Sequence, residues 1–496
     1  MGNHDPKALD SGPELIRPTK EMVFASLHHH TTHSYKDGYG TPEDHARRAA
    51  ELGMSAVALT EHGNVNSHVQ WEQAAAKYDV KALFGCELYT GGINEETRTQ
   101  RKNHLTVIAE TQDGYRNLLR LVSRGWAEGF YYEPTVGGSM LREHADGLIV
   151  LSGCAGSLLA CDLIGGKNVD PSEASYGRAK RTAARFRDLL GDGYYLEVQA
   201  FPELERTRNI NQGVAQLSEE LGIPLVATMD VHYTRPEESE MQKILHNVRG
   251  GMRKSLEDQE KEWSYDVKLT MPLTDKVLLK RLIATGLTKR QAQQAIRNSR
   301  VIAERCNVAI PKVENLRYPL PADVDDPTML FRRWLNDGWK FRGCNRLPKE
   351  LRDRYKAQVK YEMELIEEKG FVDYFLVVSD AVRFAKDQGI PVGPARGSAA
   401  ASLVCYLLRI TEVDPIPFPT LLFERFIDRN RHDLPDIDLD FDDDRRGEVR
   451  EYLVAKYGHE KVGNIGTFTH YKGKNSLDDV ARVFKVPDVE VQRLKD

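Results

Sequence analysis

The sequence predicts an α/β protein: a barrel of repeated strand–helix units, followed by a second region that is mostly helical. Two observations carry this. From about Met22 to Tyr233, short apolar runs alternate with amphipathic stretches. Repeated strand–helix units imply a largely parallel sheet, and their number favours a barrel over an open sheet. Beyond residue 236 the pattern turns helical, with charged faces. At 496 residues the chain is long enough for two or three domains.

In chain order, SAVALT, ALFGCELYT, HLTVIAE, GLIVLSG, YYLEVQA and PLVAT read as strands, being short, apolar and rich in β-formers. Between them, PEDHARRAAELG, DGYRNLLRLVSRG, YGRAKRTAARFRDLL and TRNINQGVAQLSEELG read as amphipathic helices. Residues 306–330 carry Pro311, Pro319, Pro321 and Pro327 and form an irregular connector. Helices resume at about 328–345 and 349–369, the second with Leu351, Tyr355, Val359 and Met363 along one face. The expected boundaries are a tail over 1–21, a barrel over 22–275, linker helices and a second domain over 276–470, and the start of a further region over 471–496.

Composition excludes little. The residues are 41% hydrophobic and 29% charged, with a formal net charge of −5, so there is no overall basic footprint for nucleic acid. Binding needs only a local patch. Six scattered cysteines without a CxxC pair read as reduced thiols of a cytoplasmic protein. The opening residues are polar and broken by Pro6, Pro13 and Pro18, with no secretory pattern.

A first constellation lies in SLHHHTTHSYKDG. On an extended segment His28 and His30 share a face, and Asp37 follows at a turn. A short histidine cluster alone is more often a surface feature. Here, however, His62 follows a strand in TEHG, Glu87 ends FGCE, Cys154 follows GLIVLSG, and Asp230 and His232 follow PLVATM. Polar ligands placed repeatedly beyond strand C-termini mark a barrel site. His104 fits less well, since it falls at the start of its strand; either the register differs there or it reaches the site from another direction. Imidazole, carboxylate and thiolate together suit Zn²⁺ or Mn²⁺, and closely held metals can activate a water against a phosphate ester.

A second constellation begins at GIPVGPARGSAAASLVCYLLRI, where a glycine- and proline-rich stretch precedes a helix expected from Ala399. Ser398 is the expected N-cap, Gly397 leaves room for a phosphate at free backbone N–H groups, and Arg396 adds charge. About 40 residues later, LPDIDLDFDDDRR alternates Ile437, Leu439 and Phe441 with Asp436, Asp438 and Asp440. On a strand the three carboxylates share one face, an arrangement suited to two Mg²⁺ ions and nucleotidyl transfer. The rival reading is a solvated acidic edge.

HHHTTHS, YKDG, LTEHGN, GCE, HLTVIAE, LSGC and DVHY resemble, in order, the motifs of the polymerase-and-histidinol-phosphatase (PHP) domain of bacterial replicative polymerases. The resemblance implies a distorted strand–helix barrel with up to three metals. Its ligands would be His28, His30, Asp37, His62, Glu87, His104, Cys154, Asp230 and His232. Glu61 stands where that family usually has Asp, which bears on the surroundings of the site. YEMELIEEKGFVDYFLVVSD, GPARGSAAASLVCYLLRI, FERFIDRNRHDLPDIDLDF and IGTFTHYKGKNSLDDVARVF resemble the palm of the C-family replicative polymerases, the DNA polymerase III alpha subunits. That palm is a nucleotidyltransferase fold of the polymerase-beta type, and the resemblance implies linker helices and an incomplete palm over 276–470 and the start of a thumb over 471–496.

The resemblance implies catalytic, Mg²⁺-binding Asp438 and Asp440, a triphosphate site at Gly397 and Ser398 with Arg396 nearby, and Arg425 on the nucleotide phosphates. Ala395 replaces a glycine usual in this family. The expected function is DNA-directed DNA synthesis on primer–template DNA from deoxynucleoside triphosphates. The third catalytic aspartate and the modules for the sliding clamp and other replisome subunits are expected beyond residue 496, in a longer protein or a second chain. The alternatives are a PHP-domain metal-dependent phosphoesterase or 3′→5′ exonuclease, and a non-catalytic replisome scaffold.

Overall fold

A computed structural model describes residues 22–92, 102–166, 172, 174–249, 267–312, 316–430, 434–467 and 473–495. Contacts divide the chain into two compact units, one within Met1–Pro311 and His470–Asp496, the other within Lys312–Thr469.

The first unit is built on an eight-stranded sheet. Its strands are β1 Ala56–Leu59, β2 Lys81–Thr90, β3 Asn103–Ala109, β4 Phe130–Tyr131, β5 Glu133–Val136, β6 Leu148–Leu151, β7 Tyr194–Gln199 and β8 Leu225–Thr228. Its first helices are α1 Pro42–Glu51, α2 His68–Lys77, α3 Gln112–Ala127, α4 Gly138–Glu143, α5 Leu158–Ile164, α6 Tyr176–Leu190, α7 Glu205–Leu221 and α8 Ser239–Arg249. All six strands and all four helices read from the sequence in this region form. β4, β5, α2, α4 and α5 were not read from the sequence; β4, α4 and α5 have too few residues for a clear period. Local chemistry starts the longer helices: Thr41 makes a reciprocal capping box with Asp44 ahead of Pro42, and the Thr111 hydroxyl accepts from the Gly114 N–H.

The strand order is β4-β5-β2-β3-β6-β7-β8, and the first half of β2 also pairs with β1. The segment around Ser26–His30 joins the two ends: Ser26 pairs with Val57 of β1, and His29 with Val231 just past β8. The result is a curled, distorted barrel. One expectation needs correction, because the sheet is mixed: β3 runs antiparallel to both β2 and β6.

Alternation along each strand divides the barrel interior into two halves. Leu83 leads to Glu87 on β2, Ile108 to Thr106 and His104 on β3, Tyr195 to Glu197 on β7, and Val226 to Thr228 and Asp230 along and past β8. The first residue of each series joins Ala25, Leu27, Ala56, Ala58, Ile149 and Leu151 in one apolar cluster. That cluster is closed by Ile302, Ala303 and Cys306 at the end of helix Lys289–Arg305. The remaining residues of the series gather at the other end, where the site is.

The second unit is mostly helical, with Phe331, Tyr355, Leu365, Phe375, Leu376 and Leu403 in its core. The expected stripe on helix Lys349–Glu368 is real: Tyr355 is buried, and Leu351, Val359 and Met363 pack against the same core. The expected helix from Ala399 is not there. Gly397–Ala401 is a 3₁₀ turn, and the α-helix is only Leu403–Leu407, capped by Ser402 accepting from the Cys405 N–H. Ser398 therefore caps no α-helix. The start of the α-helix is set by Ser402, whose side chain caps Cys405, and a 3₁₀ turn commonly precedes such an N-terminus.

Candidate metal centre

Extended backbone at Leu27–Thr31 turns His28 and His30 into the barrel and His29 outward, where its ring meets His45 and Ser26. His28 Nε2 lies 3.1 Å from Glu87 Oε1 and 3.4 Å from Asp230 Oδ1, and His30 Nε2 is 3.6 Å from Glu87 Oε2. His62 follows β1 and places Nδ1 2.7 Å from Glu87 Oε2 and Nε2 2.9 Å from Asp37 Oδ2. His232 Nε2 lies 3.6 Å from Asp37 Oδ1, and its Nδ1 is 3.6 Å from Asp230 Oδ1. Cys154 Sγ is 3.3 Å from His104 Nδ1, which is 3.0 Å from Glu87 Oε1.

All nine candidate ligands thus come together. His104 was the doubtful one, and the antiparallel course of β3 explains it. Where neighbours point their C-termini at the site, β3 presents its N-terminus, with His104 paired to Tyr89. Glu87 lies inside β2, as the strand reading of ALFGCELYT requires, so it faces the barrel lumen from within the strand and not from beyond a strand end.

Three sets of donor atoms converge closely enough to share an ion: His30, His62 and His232; His28, His30 and Glu87; His62, Glu87 and His104. Glu87 belongs to two of them, with Oε1 toward His28 and His104 and Oε2 toward His30 and His62. Buried His28 Nε2, His30 Nε2, His62 Nδ1 and Glu87 Oε2 face one another at 2.7–3.6 Å in close imidazole–carboxylate pairs and have no well-aligned hydrogen bond among the described residues. Buried polar atoms are ordinarily satisfied, and lone pairs aimed at common points are satisfied by a cation.

The electrostatics agree. Burial opposes charge on His28, yet Asp230, Glu197 and Glu87 hold its pKa well above the ordinary imidazole value. Burial likewise opposes charge on His62, but Asp37 and Glu87 raise it to about 10. His30 is pushed down to about 3 by burial and by His62 and His232, leaving it a neutral donor. Burial and the nearby Glu87 carboxylate hold the Cys154 thiol well above its usual range, so it ionises only beside a cation.

Three contributors around the ligands were missed or left open by sequence reasoning. Glu197, buried on β7, lies 2.8 Å from His28 Nδ1 and accepts from the Thr228 hydroxyl at 2.6 Å. This is the carboxylate–histidine arrangement that orients a metal-bound imidazole. A carboxylate within the apolar run YYLEVQ was the signal. Glu61 accepts from the Thr31 N–H and hydroxyl and from Ser34 Oγ, and Ser34 Oγ lies 2.9 Å from His30 Nδ1. It therefore braces the histidine loop. His246 of α8 comes within 2.7 Å of Asp37 Oδ1, joined by Gln242; nothing in SEMQKILHNVR announced it. Cys86 faces away, against the Glu61 carbonyl, as a packed thiol.

Replacing Glu197 with glutamine is expected to lower metal affinity by about 10–100-fold without unfolding the chain. Metal content across a graded chelator series measures this, and retention equal to the native protein would leave Glu197 a packing role only.

In the second unit the glycine turn and the acidic segment also meet. Asp440 Oδ1 is 2.9 Å from Arg396 Nη1, and the Gly393 N–H donates to the Asp440 carbonyl. Gly397 has φ of 61°, a left-handed conformation that favours glycine, and it lies against the Asp438 carboxylate, whose Oδ2 would stand 2.9 Å from a Cβ there. Asp436, Asp438 and Asp440 are exposed, while Ile437 and Leu439 pack on the core, as the alternation requires. The segment is extended, but it is bridged only at Phe441, to Val392. Exposed Arg425 ends a turn, Phe423–Arg425, that adjoins the Gly397–Ala401 turn. Ser398 is half-buried within that second turn.

A metal-ligand cluster in the mouth of a distorted strand–helix barrel defines a PHP-type protein, and the PHP domain family matches residues 26–201. Residues 332–496 match the family described as the bacterial DNA polymerase III alpha NTPase domain. The chain is 37% identical over 485 residues to DNA polymerase III subunit alpha of Treponema pallidum, covering 95% of this chain and 39% of that protein. Against the same subunit of Helicobacter pylori it is 33% identical over 487 residues, covering 94% and 39%. Against that of Thermus aquaticus it is 30% identical over 538 residues, covering 96% and 42%. The chain belongs to the bacterial DNA polymerase III alpha family, and it spans about two fifths of the length of these curated relatives. No helix among the described residues is long and apolar enough to cross a membrane.

Proposed function

We propose that the barrel cluster performs metal-dependent hydrolysis of nucleic-acid phosphoesters, acting as a 3′→5′ exonuclease. One observation carries the reading: buried His28, His30, His62 and Glu87 donor atoms converge closely enough to share an ion. Imidazoles beside carboxylates and a thiol fit Zn²⁺ or Mn²⁺, which would displace the protons that Asp37, Asp230 and Glu87 favour on His28 and His62. Asp37, Asp230, His232, His104 and Cys154 would complete the set. Metal held there would activate a water and stabilise the leaving oxygen of a phosphoester. The chain's own residues orient the ligands: Glu197 fixes the His28 ring, Glu61 and Ser34 fix that of His30, and Glu87 sets the spacing between neighbouring positions. The direction of cleavage rests on family resemblance alone.

Single-stranded and mismatched-primer DNA, supplied with Mn²⁺ or Zn²⁺, is expected to be degraded by the native chain and spared by folded His62→Ala and Asp230→Ala variants. Equal degradation by native and variants, or none by the native chain with any metal, rejects the reading. Stripping with a chelator is also expected to lower the melting temperature. A ligand present at about a hundredfold over its dissociation constant contributes ~2.7 kcal/mol to the folded state.

A second reading concerns the second unit, favoured by the convergence of Arg396, Gly397, Asp438 and Asp440. In the complete protein we propose two-metal nucleotidyl transfer with Mg²⁺ at Asp438 and Asp440. Arg396, Gly397, Ser398 and Arg425 would take the triphosphate. Primer–template DNA, the sliding clamp and other replisome subunits are its proposed partners, and the cytoplasm its proposed compartment.

A further inference from the structure

Beside the metal cluster the barrel carries a set of aromatic side chains that its core does not use. Trp126, Phe130 and Tyr131 are each about half exposed, and Tyr132 is 79% exposed. They lie at the end of α3 and on the β4–β5 hairpin, where Phe130 pairs with Pro134 and Tyr131 with Glu133. Leaving four large aromatics about half or more exposed between residues 126 and 132, as the pairs Trp126–Phe130 and Tyr131–Tyr132, runs against the hydrophobic effect, and such residues mark interaction sites.

Their placement ties them to the cluster. The Trp126 indole N–H donates to the Gly63 carbonyl at 2.7 Å, and Gly63 directly follows the ligand His62. The Gly63 N–H in turn donates to the carbonyl of Glu87. Tyr89, whose ring lies 5.4 Å from that of His104 and 6.3 Å from that of His62, pairs with Thr135 of β5. The hairpin therefore forms part of the rim of the metal-ligand site.

Their geometry points to a ligand class. The Trp126 and Phe130 rings are nearly parallel, 14° apart with centroids at 5.2 Å. Tyr131 and Tyr132 meet edge to face at 4.7 Å. Tyr132 holds φ of 65°, a costly conformation for a bulky residue, so the hairpin spends backbone strain on presenting this ring. The Lys102 ammonium sits 5.2 Å from the Tyr131 ring centre and 5.8 Å from that of Tyr132, two residues before His104. Open flat rings suit unpaired bases, and the Lys102 ammonium is buried against the Tyr131 and Tyr132 rings, where it holds them in place. A duplex, whose base faces are already stacked, has nothing to offer these rings.

We infer that Trp126, Phe130, Tyr131 and Tyr132, with Lys102, form a stacking platform that delivers single-stranded nucleic acid to the metal-ligand cluster. The inference rests on the phosphoester-hydrolysis reading for its direction, and its test is independent of turnover. Binding of a labelled oligothymidylate to the whole chain is measured by fluorescence anisotropy in chelator, beside an abasic strand of equal length and a duplex. Tyr132→Gly, which keeps the left-handed backbone and removes only the ring, is combined with Phe130→Ala. The double variant is expected to bind oligothymidylate about tenfold more weakly, with binding of the abasic strand unchanged and metal content as in the native chain. Unchanged oligothymidylate binding overturns the platform, and leaves the rim to a protein partner. Equal weakening for both strands, or duplex bound as tightly as single strand, overturns it as well. Base-dependent loss of binding in a chain that hydrolyses nothing would sink the exonuclease reading and keep the platform. Hydrolysis with no such loss would do the reverse.

Discussion

Glu87→Gln is expected to abolish both metal retention after dialysis and hydrolysis of DNA, the largest effect of any single substitution in the first unit. Its two oxygens face different partners, His28 and His104 on one side, His30 and His62 on the other. Glutamine keeps the shape but presents an amide N–H₂ to one of those sides, where nitrogen lone pairs converge. The loss should therefore exceed the about 10–100-fold typical of an outer hydrogen-bond partner such as Glu197. Folding has to be followed separately, since a buried charge partner removed from imidazoles costs ~3–5 kcal/mol. Elemental analysis together with circular dichroism distinguishes the outcomes. A folded Glu87→Gln protein with native metal content would refute the assignment of this residue as a shared ligand.

Asp438→Asn, in a full-length alpha subunit carrying this region, is expected to eliminate primer extension. Asp438 packs against Gly397 of the turn, and Asp440 pairs with Arg396, so the carboxylates already adjoin the groups proposed to take phosphate. If they hold the metals of nucleotidyl transfer, the loss should exceed the ~10²–10³-fold worth of one transition-state hydrogen bond. Metal content and melting of the first unit should not change, because both residues are exposed and make no core contact there. Asp436→Asn should have a much smaller effect. Primer extension by Asp438→Asn at native rates would leave DIDLD as a solvated acidic edge.

Much of this was legible because the chemistry is locally encoded. Period-two alternation alone put Asp436, Asp438 and Asp440 on one face, and the structure keeps them there even without a partner strand along most of the segment. The same alternation separated His28 and His30 from His29. The 3₁₀ turn at Gly397–Ala401 was misread because small residues satisfy a helix pattern without enforcing one. His246 was invisible, since a histidine in a charged amphipathic helix carries no local mark of a distant carboxylate.

By itself the sequence determined six of the barrel's strands and four of its helices, the nine candidate ligands and the pairing of a glycine turn with an acidic segment. These depend on residue identity and short-range periodicity. Tertiary structure decided that β3 runs backwards, which alone brings His104 to the site. It also placed Glu197 behind His28 and the aromatic hairpin at the rim. Strand direction and cross-sheet neighbours are set by long-range hydrogen bonding and burial, so no local pattern carries them.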